Sequence, residues 1–463
     1  MARNNQKIQK IAKTALSDRP VSDATEDSLK ADSYAEALAQ FIRRSDTPLT
    51  IGIQGGWGTG KTSLLNLLKV KLENPGKGDE SGKCLVVLVN AWEHSLFISL
   101  NSADVAVSLL QGLVDELVIA IVSSSNISER DKKELLAKGS DLKELTTKIG
   151  RAALGVAAYS AKVALSSMCI SLPPGEERHE DNTGSTSCAK QIRELRAKIA
   201  ELSQSVQSKT GIDRIVFFID DLDRVQPNTA VEILDVLKNI FDVENAIFVI
   251  AIDYEVVVRG LSSRFGDRDE SNEREFRQFF DKIIQVPFSM PVTAYRASSK
   301  EYISKLLNSL GMNGDADLDV MVDVAWSTSQ GVPRTVKRIV NTTSLLALIR
   351  EDNANTDQKN DPDRQCVLFM LVCIQIGFPS IYAKLAENPK IREWSVEKLA
   401  KPWGLPIKKF DTEKIKDEGF YDEWERVLFL LTAEDAWLRD PLDFHWNSSG
   451  FRTVAERRLG VSG

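Results

Sequence analysis

Residues Gly55-Gly56-Trp57-Gly58-Thr59-Gly60-Lys61-Thr62 follow the spacing G-x-x-x-x-G-K-[ST], and their flanks constrain the fold further than the motif alone. Leu49-Thr50-Ile51-Gly52-Ile53 reads as a buried strand, and Ser63-Leu64-Leu65-Asn66-Leu67-Leu68 opens a helix. Strand, glycine-rich turn and helix together form a phosphate-binding loop. The glycines let the backbone direct N–H groups onto phosphate oxygens, Lys61 adds a cation, and Thr62 can ligate Mg²⁺. The helix contributes the positive end of its dipole. The expected nucleotide contacts are therefore Gly55, Gly56, Trp57, Gly58, Thr59, Gly60, Lys61, Thr62 and Ser63.

Such a loop needs an acidic partner at the end of a neighbouring strand. The run Arg214-Ile215-Val216-Phe217-Phe218-Ile219-Asp220-Asp221 supplies one: five consecutive apolar residues describe a strand covered on both faces, which delivers its last residues to the ligand crevice of an open α/β sheet. Asp220 is expected to hold Mg²⁺ directly or through water, and Asp221 to polarise the attacking water. The alternative for either carboxylate is that it only begins a turn.

Three further strands are predicted: Cys84–Asn90, Ala246–Ile252 and Lys282–Phe288. Alternation with helices points to an α/β fold with a mostly parallel, doubly wound sheet. Tyr34, Leu38, Phe41 and Ile42 are expected on one face of a helix before the first strand. Asp253, at a strand end, either senses the γ-phosphate or caps the helix that follows. Between Leu100 and Lys209 lies a long, mostly helical insertion, whose last helix carries Ile192, Leu195, Ile199, Leu202 and Val206 at alternating steps of three and four. Such a stripe is a packing seam or a self-association coil. The segment 173–187 is expected to be a mobile loop.

Composition narrows the functional class. A net charge of -7 argues against a dedicated nucleic-acid surface, leaving nucleic acid possible but not indicated. The five cysteines show no CxxC spacing and suit reduced thiols, and the three histidines stand too far apart for a zinc site. Residues 152–172 carry Lys162 as their single charge, yet they are Ala- and Ser-rich, and one crossing there would put Lys61 and Asp220 on opposite sides of a bilayer. A membrane-spanning chain is not expected. Nor do residues 1–7 lead into a signal-peptide core, so the expected location is cytoplasmic.

Several motifs together resemble the KAP family of P-loop NTPases: Ser17-Asp18-Arg19-Pro20, Trp57 within the loop, Asn90-Ala91-Trp92, Asp220-Asp221-Leu222-Asp223-Arg224, and Gly331-Val332-Pro333-Arg334-Thr335-Val336-Lys337-Arg338. The resemblance runs from about Ser17 to Pro379. It implies an ATPase of the additional-strand class, similar to the STAND signalling NTPases, with a helical lid after the sheet and with Asp18, Arg19 and Pro20 near the base or the phosphate-loop strand. Many relatives carry a transmembrane pair between the two acidic and glycine-rich motifs; here the insertion is only weakly apolar. Bacterial relatives in conflict systems suggest anti-phage defence as a context. ATP over GTP rests on the resemblance, since no N-K-x-D base reader follows the fourth strand.

On this reading the core spans 1–99 and 211–291, the insertion 100–210, the lid 292–352 and a helical C-terminal region 353–463. Arg334 either reaches the phosphates from the lid, as a third catalytic residue beside Lys61 and Asp221, or is a surface cation. Arg224 pairs with Asp223 or Asp221, or reaches a neighbouring subunit. Arg259, Arg264, Arg274 and Arg277 are other finger candidates. Cys366–Phe378 is too short to span a bilayer and reads as a buried helix. Trp394, Trp403, Trp424, Trp437 and Trp446 pack a small helical core or present a partner surface. Two functions compete. One is an ATPase doing conformational work as a homo-oligomer or with an effector protein; the other is a slow nucleotide-gated switch or scaffold.

Overall fold

The computed structural model describes residues 15–27, 29–75, 82–95, 102–156, 183–240, 242–291, 296–309, 318–351 and 362–387. They fall into two compact units, Pro20–Met290 and the pair of segments Met1–Arg19 and Pro291–Gly463.

The first unit is built on five strands: β1 (Leu49–Gln54), β2 (Lys83–Asn90), β3 (Ile212–Asp220), β4 (Ala246–Ile252) and β5 (Val286–Ser289). Their order is β2-β3-β4-β1-β5, with every neighbouring pair parallel. β4 thus separates the glycine-loop strand from the acidic strand. It is the added strand that the resemblance implied. β5 begins at Val286, later than the apolar run from Lys282 predicts, because Ile283 and Ile284 are buried in the turn ahead of it.

Both faces of the sheet are covered, which is why its strands read as unbroken apolar runs. Val216, Phe218, Val249 and Ala251 face α1 (Ala31–Arg44) and α2 (Lys61–Glu73). On α1, Leu38 and Ile42 are buried, but Phe41 is 43% exposed, contrary to the predicted face. Steps of four from Tyr34, filled in by Ala35 and Ala39, define the buried stripe, and Phe41 falls on its rim.

The opposite face carries α3 (Ala91–Ser95), α4 (Ser102–Ser123), α5 (Glu129–Val156), α6 (Thr183–Thr210), α7 (Pro227–Lys238), α8 (Tyr254–Phe265) and α9 (Glu273–Asp281). Phe217, Ile219, Phe248 and Ile250 share a core with these helices. Phe217 and Phe248 are paired across β3 and β4, their rings stacked 4.8 Å apart. Burying each such side chain is worth about 2–3 kcal/mol.

Helices α4, α5 and α6 form the insertion. The seam of Leu195, Ile199, Leu202 and Val206 on α6 is buried in one core with Leu135, Leu142, Leu145 and Ile149 of α5, so within the chain it packs internally; Ile192 is half-buried. Asp115 of α4 pairs with Lys143 at 2.7 Å. Among the described residues no helix is long and apolar enough to cross a membrane. Residues 157–172, and the expected loop as far as 182, lie outside the described residues; 183–187 open α6.

The second unit comprises α10 (Arg296–Ser309), α11 (Leu318–Ser329), α12 (Pro333–Glu351), α13 (Pro362–Gly377) and α14 (Pro379–Glu387). Val336, Ile339 and Val340 form the buried side of α12, and Leu368 to Ile374 are buried along α13. The N-terminal segment docks here through Asn341, whose side chain accepts from the Leu16 N–H at 2.7 Å and donates to the Leu16 carbonyl at 2.9 Å. The five tail tryptophans lie outside the described residues.

Candidate functional site

The parallel order brings the C-terminal ends of β1, β2, β3 and β4 to one edge, where an open α/β sheet binds its ligands. There the chain leaves β1 into Gly55, whose N–H donates to the Ile252 carbonyl of β4 at 3.1 Å. Thr59 closes the turn on itself, its N–H and hydroxyl both donating to the Gly56 carbonyl. Gly58 and Gly60 adopt φ of 83° and 98°, left-handed values that favour glycine. Gly60 then accepts from the Leu64 N–H as α2 begins. Trp57, at the tip, is 61% exposed.

The Lys61 side chain is turned into the site and only 6% exposed. Its Nζ donates to the carbonyls of Gly55 at 2.8 Å and Gly56 at 3.1 Å, and to Asp223 Oδ2 at 2.8 Å. Thr62 donates its hydroxyl to Asp220. The Ser63 hydroxyl accepts from the Val21 N–H at 3.0 Å and anchors the segment before α1. Asn66 holds the same segment through the Val21 carbonyl.

The acidic side starts at Asp220, the last residue of β3, which is 5% exposed. Burial pushes its carboxyl above the usual carboxylate range, and the charges of Asp221 and Asp223 push the same way; hydrogen bonds from Thr62 and from the Asp221 N–H, at 2.8 Å, oppose them. Asp221 follows at φ 59°, a left-handed conformation that Asp tolerates better than most residues. That reversal aims its carboxylate across to β2. Oδ2 accepts from Asn90 Nδ2 at 3.0 Å and Oδ1 from Arg224 Nε at 2.8 Å. The Arg224 guanidinium lies 5.4 Å from the centroid of the Trp92 ring.

Sequence reasoning assigned Asp223 only as a partner for Arg224. The structure gives it to Lys61, and gives Arg224 to Asp221. The spacing of Asp-Asp-Leu-Asp-Arg could have shown this, because a short turn after the strand (Leu222–Arg224) sends alternate acidic residues in different directions. Asn90 was legible as a strand end and as part of the Asn90-Ala91-Trp92 motif, without a partner. Asp253 caps α8, accepting from the Glu255 N–H at 3.1 Å. Of the other finger candidates, Arg264 pairs with Asp235, Arg277 with Glu273, and Arg259 donates to the Glu255 carbonyl. Arg334 belongs to the second unit, where it pairs with Asp18, with Lys337 Nζ 4.0 Å from the other oxygen. It is not the surface cation capping nothing, and Asp18 docks on the helical unit through this pair.

Among the described residues no group of three or more His, Cys, Asp or Glu could hold a metal unaided. The donor set suits Mg²⁺ all the same, since that ion takes one or two protein oxygens and completes its shell with water and substrate phosphates. Thr62 and Asp220, already hydrogen-bonded beside a buried lysine, are two oxygens that could serve such an ion.

Comparison with known proteins bears on the same region. The sequence model of the KAP family P-loop domain matches residues 31–350. A curated relative, the Phage T7 exclusion protein of Escherichia coli (strain K12), is 22% identical over 350 residues, covering 71% of this chain. The chain in turn spans 43% of that relative's length.

Proposed function

The chain belongs to the KAP family of P-loop NTPases, and on that premise we propose that it binds ATP with Mg²⁺ and hydrolyses it to gate a conformational change. The convergence of Lys61, Thr62, Asp220 and Asp221 at one sheet edge carries this reading.

In it the glycine loop and the N-terminus of α2 bind the phosphates, and Lys61 exchanges Asp223 for a phosphate oxygen. Thr62 and Asp220 would hold Mg²⁺, which would supply positive charge against that developing on the transferred phosphoryl group. Asp221 orients the attacking water and accepts its proton. The added strand β4 keeps Asp221 one strand away from the loop, leaving space for that water.

One observation favours the slower alternative, a nucleotide-gated switch. Lys61 is already neutralised by Asp223, so that partner must be exchanged for a phosphate oxygen before chemistry. The setting we propose, phage exclusion, rests on the name of the E. coli relative alone.

The test is ATP turnover of the purified protein beside Asp221→Asn. Hydrolysis is expected to fall by about 100-fold or more in the variant, with ATP affinity retained. Equal turnover in the two proteins removes Asp221 from its role. Binding without turnover in the wild type selects the switch.

A further inference from the structure

Asn90 ends β2 and divides its side-chain amide between two tasks. Its oxygen accepts from the backbone N–H groups of Trp92 at 3.0 Å and Glu93 at 3.2 Å, capping α3. Its nitrogen donates to Asp221 Oδ2 at 3.0 Å. Only one orientation of the amide serves both, because the helix start offers donors and the carboxylate offers only acceptors.

Arg224, the ligand of the other Asp221 oxygen, faces Trp92, two residues on from Asn90. Both side-chain contacts that aim Asp221 are thus tied to the start of α3. That helix is in turn seated on the insertion: a methyl group at Gly112 of α4 would come within 2.1 Å of the His94 imidazole, so the ring lies directly on the α4 backbone. The path from α4 through His94, the α3 cap and Asn90 to Asp221 is unbroken and lies within one compact unit.

We infer that Asn90 is a positioning residue that sets the direction of the Asp221 carboxylate and passes displacement of the helical insertion to it as a change in turnover. The inference deepens the proposed ATPase and rests on that reading. Asn90 touches neither phosphate nor metal in this scheme. Movement of α4 with the rest of the insertion would tilt α3, withdraw or restore the amide, and leave the phosphate loop undisturbed.

The experiment is a double-mutant cycle on the full chain. Asn90→Ser keeps an oxygen that can cap α3 and removes the donor to Asp221. Gly112→Ala displaces His94 from α4, and His94→Ala breaks the same contact without added volume. Asn90→Ser is expected to lower kcat by about tenfold or more while leaving ATP affinity unchanged, since small misplacements of a catalytic group are costly. Gly112→Ala and His94→Ala should lower it less, and should add nothing once Asn90 is Ser, because the path is already cut. Unchanged or raised kcat in Asn90→Ser overturns the positioning role; additive effects overturn the coupling.

A wild type that binds ATP without turnover defeats the hydrolytic reading but not this test, which is then read by amide hydrogen exchange with a non-hydrolysable ATP analogue. Exchange in residues 91–95 should change on binding in the wild type and not in Asn90→Ser. No change in the wild type overturns the inference by itself.

Discussion

The phosphate-loop side of the site is made from nine consecutive residues, Gly55 to Ser63, that leave β1 and open α2, whereas its acidic side is assembled from the end of β2, the end of β3 and the turn that follows. The loop's shape is set locally, by left-handed glycines and by Thr59 closing on Gly56. The acidic side owes its shape to packing, because Asn90 and Asp221 meet only where β2 and β3 run parallel in register and end together. A local loop resists distant influence, while an assembled carboxylate can be tuned by whatever moves its supports.

Three measurements would break or sharpen that contrast. The largest effect is expected at Lys61. Lys61→Ala should weaken ATP binding by about 100-fold, as loss of a charge-assisted contact implies, measured by calorimetric titration. Affinity near that of the wild type would mean that the loop backbone suffices and the acidic side matters more than the contrast allows.

Asp223→Asn comes next. It removes the carboxylate that competes with phosphate for Lys61, so ATP should bind about tenfold more tightly, a gain of about 1.4 kcal/mol. Weaker binding would show instead that Asp223 orders the lysine for its ligand, making the two sides one device.

The smallest effect concerns Asp220. Its carboxyl is raised in the folded chain, so the folded state holds the proton more firmly than the unfolded one, and stability falls as pH rises from the ordinary carboxylate range through the raised value. Without Mg²⁺, Asp220→Asn should therefore melt at a higher temperature than wild type at neutral pH, and the gap should close as pH is lowered into that range. A variant melting below wild type at neutral pH would show that the ionised carboxylate is stabilised by its neighbours and not penalised by burial.

How much of this was legible beforehand follows the same division. The glycine loop and the strand before it could be read because the residues that shape them are adjacent. The apolar runs of β2, β3 and β4 could be read because a sheet covered on both faces tolerates little else. Phe41 was misplaced because the small residues Ala35 and Ala39 centre the buried stripe with Leu38 and Ile42, which turns Phe41 onto its rim. The partners of Lys61 and Arg334 could not be read at all, and that of Arg224 only as a choice between Asp221 and Asp223. Each is an ion pair chosen among several nearby charges, and the choice depends on which oxygen a backbone reversal brings within reach.

The amino-acid sequence by itself determined a P-loop α/β fold, with a glycine turn ahead of a helix and two carboxylates at the end of a buried strand, because periodicity and local backbone freedom act over a few residues. Tertiary structure alone decided that β4 stands between those features, that Asp223 occupies Lys61, and that Asn90 joins the insertion to Asp221. Those contacts depend on strand order and register, which bring together residues up to 162 positions apart and which no local pattern encodes.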